Sequence, residues 1–258
     1  MERSEKEPKT IGSVEKAISI LNIVAASEHG LGVTEISAAL GCGVSATYHL
    51  LNTLRRGDLL QQDPQSKKYS LGVGLIRLSA LAQRQNTLAY NAQPILEELS
   101  RSCGETSNLV ILQGQETVYV AQSESNNMVK MFTQLGARVP WHCTGGGKVI
   151  LAFLPQETQQ STLQAAKLVR FTENTLTRRS DLVRELTEIR TRGYGFDRGE
   201  REEGVICIAA PVFNASGEPV AAMSVSGPDY RVTHKGLDGM VEKVCTAASA
   251  LSARLGGQ

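Results

Sequence analysis

The sequence is poor in the features that mark most specialised protein classes. Its five cysteines stand at 42, 103, 143, 207 and 245, with no CxxC pair. An odd, widely spaced set argues against a disulfide framework and a zinc ribbon, and it suits a reducing cytoplasm. Aromatic residues make up 5%, few for a protein that stacks single-stranded bases on aromatic platforms. No apolar run reaches the roughly 18 residues needed to cross a bilayer. Met1 to Thr10 alternate in charge and lack the apolar stretch of a signal peptide. Neither sign of charge dominates, since 27 Lys and Arg face 26 Asp and Glu. Contact with nucleic acid must therefore come from a local patch, and no membrane partner is expected.

What is present is an ordinary globular composition, 41% hydrophobic and 21% charged over 258 residues. At roughly 100 to 200 residues per domain, that length predicts one large or two modest domains. Three short helical patterns open the chain. Ser13 can cap the first, whose apolar stripe is Val14, Ala17, Ile18, Leu21, Val24 and Ala25. Thr34 can cap the second, with Glu35 at its positive end and Ile36, Ala39 and Leu40 turned inward. Gly41-Cys42-Gly43 forces a turn, and a third helix runs from Val44 to Arg56. At about 100° per residue, Val44, Thr47, Tyr48, Leu50, Leu51 and Leu54 share a packing face, opposite Ser45, Ala46, His49, Asn52, Thr53 and Arg56. Leu59-Leu60, the turn Asp63-Pro64-Gln65-Ser66 and the run Lys67 to Leu71 then read as a hairpin with lysines near its tip. Three helices and a basic hairpin make a winged helix-turn-helix.

A helical pattern from Gly72 to about Ala92 reads as a linker helix, and Pro94 is placed to start another that ends at Cys103-Gly104. Strands are expected over Thr106 to Leu112, Thr117 to Gln122 and Met128 to Phe132, then over Val205 to Phe213 and Val220 to Ser226. Helices are expected from Gly147 to Phe153, Arg179 to Arg192 and Lys235 to Leu255. The whole reads as an α+β chain with a sensor-type second half. The expected boundaries are 1–72 for the winged helix-turn-helix, 73–92 for the linker helix and 93–258 for the rest.

Two regions carry chemistry. The polar face of the third helix is suited to the major groove of double-stranded DNA, with Ser45, Ala46 and His49 nearest the bases. Asn52 and Arg56 lie further along, and Lys67 and Lys68 suit phosphates. A merely solvated face is the plain alternative. Residues 1 to 80 carry nine basic and eight acidic groups, so charge does not decide it. The second region is Trp141-His142-Cys143-Thr144-Gly145-Gly146-Gly147-Lys148, where bare backbone N–H groups at a helix start suit a carboxylate or phosphate. A nucleotide loop would need Gly at 142 and Ser or Thr at 149, and the chain has His142 and Val149. Close packing of the helix is again the plain alternative. Cys207, with His142, Cys143 and Asp197, offers a metal site or a Cys/His nucleophile, although none of the spacings is diagnostic and a small buried hydrophobe explains Cys207 equally. Ser224 and Ser226 alternate on one strand and share a face.

These segments resemble the isocitrate lyase regulator (IclR) family of bacterial transcription factors from about Ser13 to Gly256. The specific parts are Val33-Thr34-Glu35-Ile36-Ser37, Gly41 through Leu54-Arg55-Arg56-Gly57, Tyr69-Ser70-Leu71-Gly72, Cys103-Gly104-Glu105-Thr106, His142-Cys143-Thr144 with Gly147-Lys148, Gly204 to Pro211, and Ser224-Val225-Ser226-Gly227-Pro228. The resemblance implies an N-terminal winged helix-turn-helix, a linker helix that pairs two chains, and a C-terminal GAF-like domain that binds a small carboxylic or aromatic effector. It implies a regulator of catabolic genes working as a homodimer or homotetramer, without a cofactor or a catalytic centre. Thr34 and Tyr48 join the DNA-facing residues on this basis. The implied effector pocket comprises Val139, His142, Gly145, Gly146, Asp197, Val205, Cys207, Ser224 and Ser226, with Met128 on its apolar wall. The chain departs from the family where Val44, Ser45 and Ala46 open the third helix and His49 replaces a frequent arginine, so operator preference does not carry over. Alternative functions are an enzyme built on Cys207 and His142, or a ligand sensor that does not bind DNA.

Overall fold

The computed structural model describes residues 10–85, 87–131 and 133–257. The chain divides after Gln85 into two compact units. In the first, α1 (Gly12–Ala25), α2 (Val33–Leu40) and α3 (Val44–Arg56) pack around Ile20, Val24, Ile36, Leu51 and Leu54. Strands β1 (Leu60–Gln62) and β2 (Tyr69–Leu71) pair antiparallel and close that core with Leu60 and Tyr69. Leu31 joins the hairpin through a bridge to Tyr69. Gly41, at φ 65°, takes the left-handed conformation that ends α2 and turns the chain into α3. This is a winged helix-turn-helix. Helix α4 (Val73–Gln85) completes the unit.

Local sequence signals misplace some details here. Ser13 lies inside α1, whose N-cap is Ile11 with no side-chain cap. Thr34 sits in the first turn of α2, behind Gly32, whose N–H donates to Glu35 Oε2 at 2.7 Å. The carboxylate supplies the cap that the hydroxyl was expected to give. Val44 and Tyr48, expected to pack, are 47% and 48% exposed. Contact with the core begins at Thr47 and continues at Leu51 and Leu54, so the first turn of α3 projects beyond it.

In the second unit α5 (Thr87–Cys103) contains Pro94 in its interior. The expected helix start is therefore an internal position, where Tyr90 loses one helical partner because proline has no N–H. The helix expected over 73–92 is carried by α4 and the beginning of α5, with Asn86 outside the described residues. The six strands are β3 (Thr106–Gln113), β4 (Glu116–Ser123), β5 (Arg138–Pro140), β6 (Gly195–Arg198), β7 (Val205–Phe213) and β8 (Pro219–Pro228). They form one antiparallel sheet in the order β5-β4-β3-β8-β7-β6. Two meanders thus meet where β3 pairs with β8. The strand expected over Met128 to Phe132 is not formed at 128–131, and Phe132 lies outside the described residues. Asn127 holds that stretch in a turn, donating from Nδ2 to the Gly104 carbonyl and from its N–H to Ser125 Oγ. The third strand of the meander is β5.

Period-2 alternation divides the sheet into two faces. Leu109, Ile208, Ala210, Val212, Met223 and Val225 pack with Leu96, Leu99, Val244 and Leu251 of α5 and α10 (Leu237–Arg254). Val110, Ala209 and Ala222 face the other way, against α6 (Gly145–Phe153) and α8 (Arg179–Arg192). A turn of 3-10 helix (Trp141–Cys143) leads into α6, and α7 (Gln156–Ala165) follows it. The short α9 (Asp229–His234) is tied to the residue before β3 by Arg231, which donates to both oxygens of fully buried Glu105. The unit is therefore a three-layer sandwich of helices on both faces of an antiparallel sheet.

The close seat of α6 can be tested by adding one carbon. A Cβ at Gly146 would lie 2.5 Å from Val110 Cγ2, whereas one at Gly239 in α10 meets nothing within 4 Å. Gly146→Ala is expected to destabilise by about 1 to 3 kcal/mol through overpacking. Gly239→Ala should stabilise by up to about 1 kcal/mol through helix propensity. Urea midpoints of the two variants should move in opposite directions.

Candidate functional site

The outer face of α3 and the wing form one polar surface. Ser45, Ala46, Tyr48, His49, Thr53 and Arg56 are exposed, as are Thr34 at the start of α2 and Lys67 at the hairpin turn; Lys68 is half-buried. Asp63 Oδ1 accepts from the N–H groups of Ser66 and Gln65 and shapes that turn, in which Lys67 adopts φ 57°. Arg55, Arg56, Lys67 and Lys68 have no ion-pair partner among the described residues. The near-neutral unit thus keeps these four cations without acidic partners beside α3, Arg55 donating only to Gln62 Oε1. Asn52 lies at the inner margin of the face, half-buried, its Oδ1 enclosed without a partner. Only the rest of its amide can point outward.

The second constellation follows from strand register. Asp197 on β6 stands opposite Cys207 on β7, Cys207 opposite Ser226 on β8, and Ser226 opposite Thr106 on β3. One step along, Ser224 stands opposite Asn108, and Asn108 opposite Gln122 on β4. Each of these side chains lies on the α6 face, because its chain neighbours Phe196, Ile208, Val225, Ser107 and Ala121 point to α5 and α10. Gly145, the first residue of α6, is so close that a Cβ there would lie 3.3 Å from both the Asp197 nitrogen and Cys207 Sγ. Thr144 caps the helix, its hydroxyl accepting from the Gly147 N–H at 3.2 Å. The amides of Gly145 and Gly146 belong to the first turn, which has no intrahelical partners for its N–H groups. Bare helix-end amides, two serine hydroxyls, a thiol and a carboxyl are therefore gathered at one end of the sheet.

Burial sets the protonation there. Desolvation, reinforced by the neighbouring Glu200 carboxylate, pushes the Asp197 carboxyl up to about 7. Its Oδ1 accepts from the Glu200 N–H at 2.6 Å. The Cys207 thiol is pushed up to about 11 and that of Cys143 to about 12, in both cases chiefly by burial. Neither is a thiolate at neutral pH, so neither has the form in which cysteine attacks or binds metal. Burial also lowers His142 and raises the Tyr119 hydroxyl. Lys148, 1% exposed, pairs with Glu200 beneath α6.

The other expected members of the site are placed as follows. His142 is buried with Nε2 2.9 Å from the Val169 carbonyl, so this nitrogen carries the proton and donates it. Met128 is fully exposed in the turn after β4 and makes no apolar wall. Val139 is on the edge strand β5, half-buried, its carbonyl accepting from Thr117 Oγ1. Val205 opens β7, also half-buried, and by strand alternation shares the face of Cys207. A separate groove of about 650 Å³ runs between α5 and α10, past Ile95, Leu99, Ala247 and Ala250. It lies on the opposite side of the sheet from Cys207. Among the described residues no group of three His, Cys, Asp or Glu side chains stands close enough to hold a metal, and no helix is long and apolar enough to cross a membrane. Residues not singled out from sequence are Asn108, Gln122 and Tyr119. The available signal was that Asn108 stands at the alternate position to Val110, within a strand expected to be buried.

Residues 13–64 match the family model described as the IclR helix-turn-helix domain, and residues 80–253 match the one described as the bacterial transcriptional regulator IclR C-terminal. The chain is 36% identical over 242 residues to the HTH-type transcriptional regulator BhcR of Paracoccus denitrificans, covering 94% of this chain and 86% of that one. It is 34% identical over 252 residues to the HTH-type transcriptional regulator KdgR of Escherichia coli, covering 98% and 95%. Its fold superposes on the crystal structure of Thermotoga maritima IclR with a TM-score of 0.83 at 30% identity, covering 96% and 100%.

The raised Asp197 carboxyl makes a pH prediction. Between its ordinary value of 3.8 and about 7 the native state holds a proton that the unfolded chain has released. Stability from this group is therefore complete below the lower value and is lost as pH rises through the upper one. Asp197→Asn keeps the acceptor for the Glu200 N–H and removes the titration. Urea midpoints of the native chain should fall relative to those of the variant from pH 5 to pH 8, and a constant difference would contradict the assignment.

Proposed function

Because the chain belongs to the IclR family of bacterial transcriptional regulators, we propose that it is a cytoplasmic repressor or activator of a catabolic operon. It reads duplex DNA with α3 and the wing and is tuned by a small organic acid or aromatic compound held in its second unit. The observation that carries the reading is the pairing of an exposed polar α3 face with four unpaired cations in a unit of almost no net charge. A helix of this size fits the major groove, and cations on the wing and at the helix end neutralise phosphates. Ser45, Ala46, Tyr48 and His49 meet base edges; Thr34, Arg56, Lys67 and Lys68 meet the backbone, with Asn52 at the margin.

The effector sits against Gly145, Gly146, Asp197, Cys207, Ser224 and Ser226. Its acid group takes the helix-end amides, where backbone dipoles favour an anion. The chain works as a homodimer or homotetramer. Val73, Ile76, Leu78 and Leu81 of α4 are exposed apolar side chains that a second copy would cover. A catalytic role for Cys207 with His142 is not favoured, because burial keeps the thiol protonated at neutral pH.

DNA affinity should fall steeply as salt rises, because each neutralised phosphate releases counterions. His49→Ala should lower the ratio of operator to random-DNA affinity, at a cost of about 1 to 3 kcal/mol on the operator. Lys67→Ala should weaken both DNAs alike and flatten the salt slope. Fluorescence anisotropy on the two DNAs measures all three quantities, and identical behaviour of the two variants would contradict the assignment of faces.

A further inference from the structure

The groove between α5 and α10 is an unfilled apolar surface whose rim carries charge in a definite order. Pro94, Ile95, Leu99, Ala247 and Ala250 line its space of about 650 Å³. Exposed Glu98 stands on the α5 wall, and exposed Glu242, Lys243 and Arg254 stand on the α10 wall. Lys243 Nζ donates to the Ser102 carbonyl and Arg254 Nη1 to the Asn91 carbonyl, so the two helices run antiparallel. Neither cation has an acidic partner among the described residues. Two adjacent helices with an apolar furrow between them present the packing surface that a third helix takes in a bundle.

The rim decides which helix fits. A two-fold axis at the level of Thr246 and Ala247 would lay a second α10 antiparallel along the first. Arg254 of one copy then meets Gly239 of the other, and Lys243 meets Ala250, because the members of each pair stand equally far along the helix from that axis. The longest side chains on the wall thus meet the smallest. A Cβ at Gly239 meets nothing within 4 Å in its own chain, which leaves room for the arriving arginine. The charges agree with the sizes. Exposed Asp238 precedes Gly239 and Glu242 lies about one turn beyond it, so the arriving Arg254 reaches carboxylates. The arriving Lys243 comes within about one turn of Glu98, which its own chain pairs only with exposed Arg101. A parallel copy would set Arg254 against Arg254 and Glu242 against Glu242, and a helix of one charge sign would leave half the rim opposed to its like.

We propose that a second copy of this chain docks in the groove, α10 against α10 in antiparallel order, so that α5 and α10 of the two copies form a four-helix bundle. The contact is isologous, each copy offering the same wall to the other. It is separate from the exposed face of α4 and does not depend on what covers that face.

Sedimentation equilibrium of the full chain tests the contact. Ala250→Arg sets a cation against Lys243 of the other copy, at an exposed position where arginine suits a helix. The mass of the native assembly should fall by half, from tetramer to dimer where a further contact persists and from dimer to monomer where none does. Glu242→Arg and Arg254→Glu should each weaken assembly about tenfold, since the two-fold axis repeats every lost pair, and the double variant should recover most of the loss. Under mild oxidation Thr246→Cys, beside the axis, should give covalent dimers above the level of the native chain, whereas Glu188→Cys on α8 should not. A monomeric native chain, unchanged mass for Ala250→Arg, no recovery in the double variant, or equal cross-linking at 246 and 188 would overturn the inference. The DNA-reading face and the effector site would stand in each of those cases.

Discussion

The second unit depends on how closely α6 lies on its sheet. Glycine at 145, 146 and 147 removes three side chains at the point of contact. A Cβ at 146 would strike Val110, and one at 147 would lie 2.6 Å from the Trp141 backbone. With those atoms gone, the positive end of the helix reaches β6 and β7, and its unpaired amides meet Asp197 and Cys207. Thr106, Asn108, Asp197, Ser224 and Ser226 on that face are drawn out of water. Asp197 holds its proton to about 7, the thiols stay neutral, and Asn108 and Gln122 keep donors that no protein group fills. One packing constraint therefore produces both the layered fold and a neutral, donor-rich surface suited to an anion.

The first unit works by a different economy. Its core is small, seven buried side chains from Ile20 to Tyr69, and its charge nearly cancels. The fold separates what the composition mixes: cations at the end of α3 and on the wing stand free. A protein of net charge +1 can in this way present a basic surface, and pairing two chains would double it. Short-range placement, more than net charge, decides whether such a module holds phosphate at physiological salt.

Much of this was legible in the order of residues. The bounds of α3, α8 and β7 follow directly from their apolar periodicity and their Gly or Asn stops, because each of these elements buries one continuous stripe. Caps were less legible. Thr34 has the preferred chemistry for an N-cap, yet Glu35 reaches back to Gly32, and which group wins depends on where the helix enters. Pro94 shows a local preference overridden by packing of α5 against the sheet. The stretch 128–131 has strand-forming residues but is held in turns by Asn127 and Ser125, bonds to Gly104 that no local pattern reveals. At the site, motif residues such as Gly145, Cys207 and Ser224 stood out, whereas Asn108 and Gln122 did not, since their proximity is a product of strand register. Tyr48 and Val44 lay on the apolar arc of a helical wheel, which has no information about where the neighbouring helix stops.

The central claim is that one unit grips duplex DNA and that a small acid bound to the other changes that grip. Its most direct test is competition: the full chain is mixed with DNA from upstream of its own gene and an excess of bulk DNA, with and without each of a panel of small carboxylic acids. Retention of the upstream fragment against the excess, altered several-fold by one of the acids, is the expected result. Equal partition between the two DNAs, indifferent to every acid, would contradict the account.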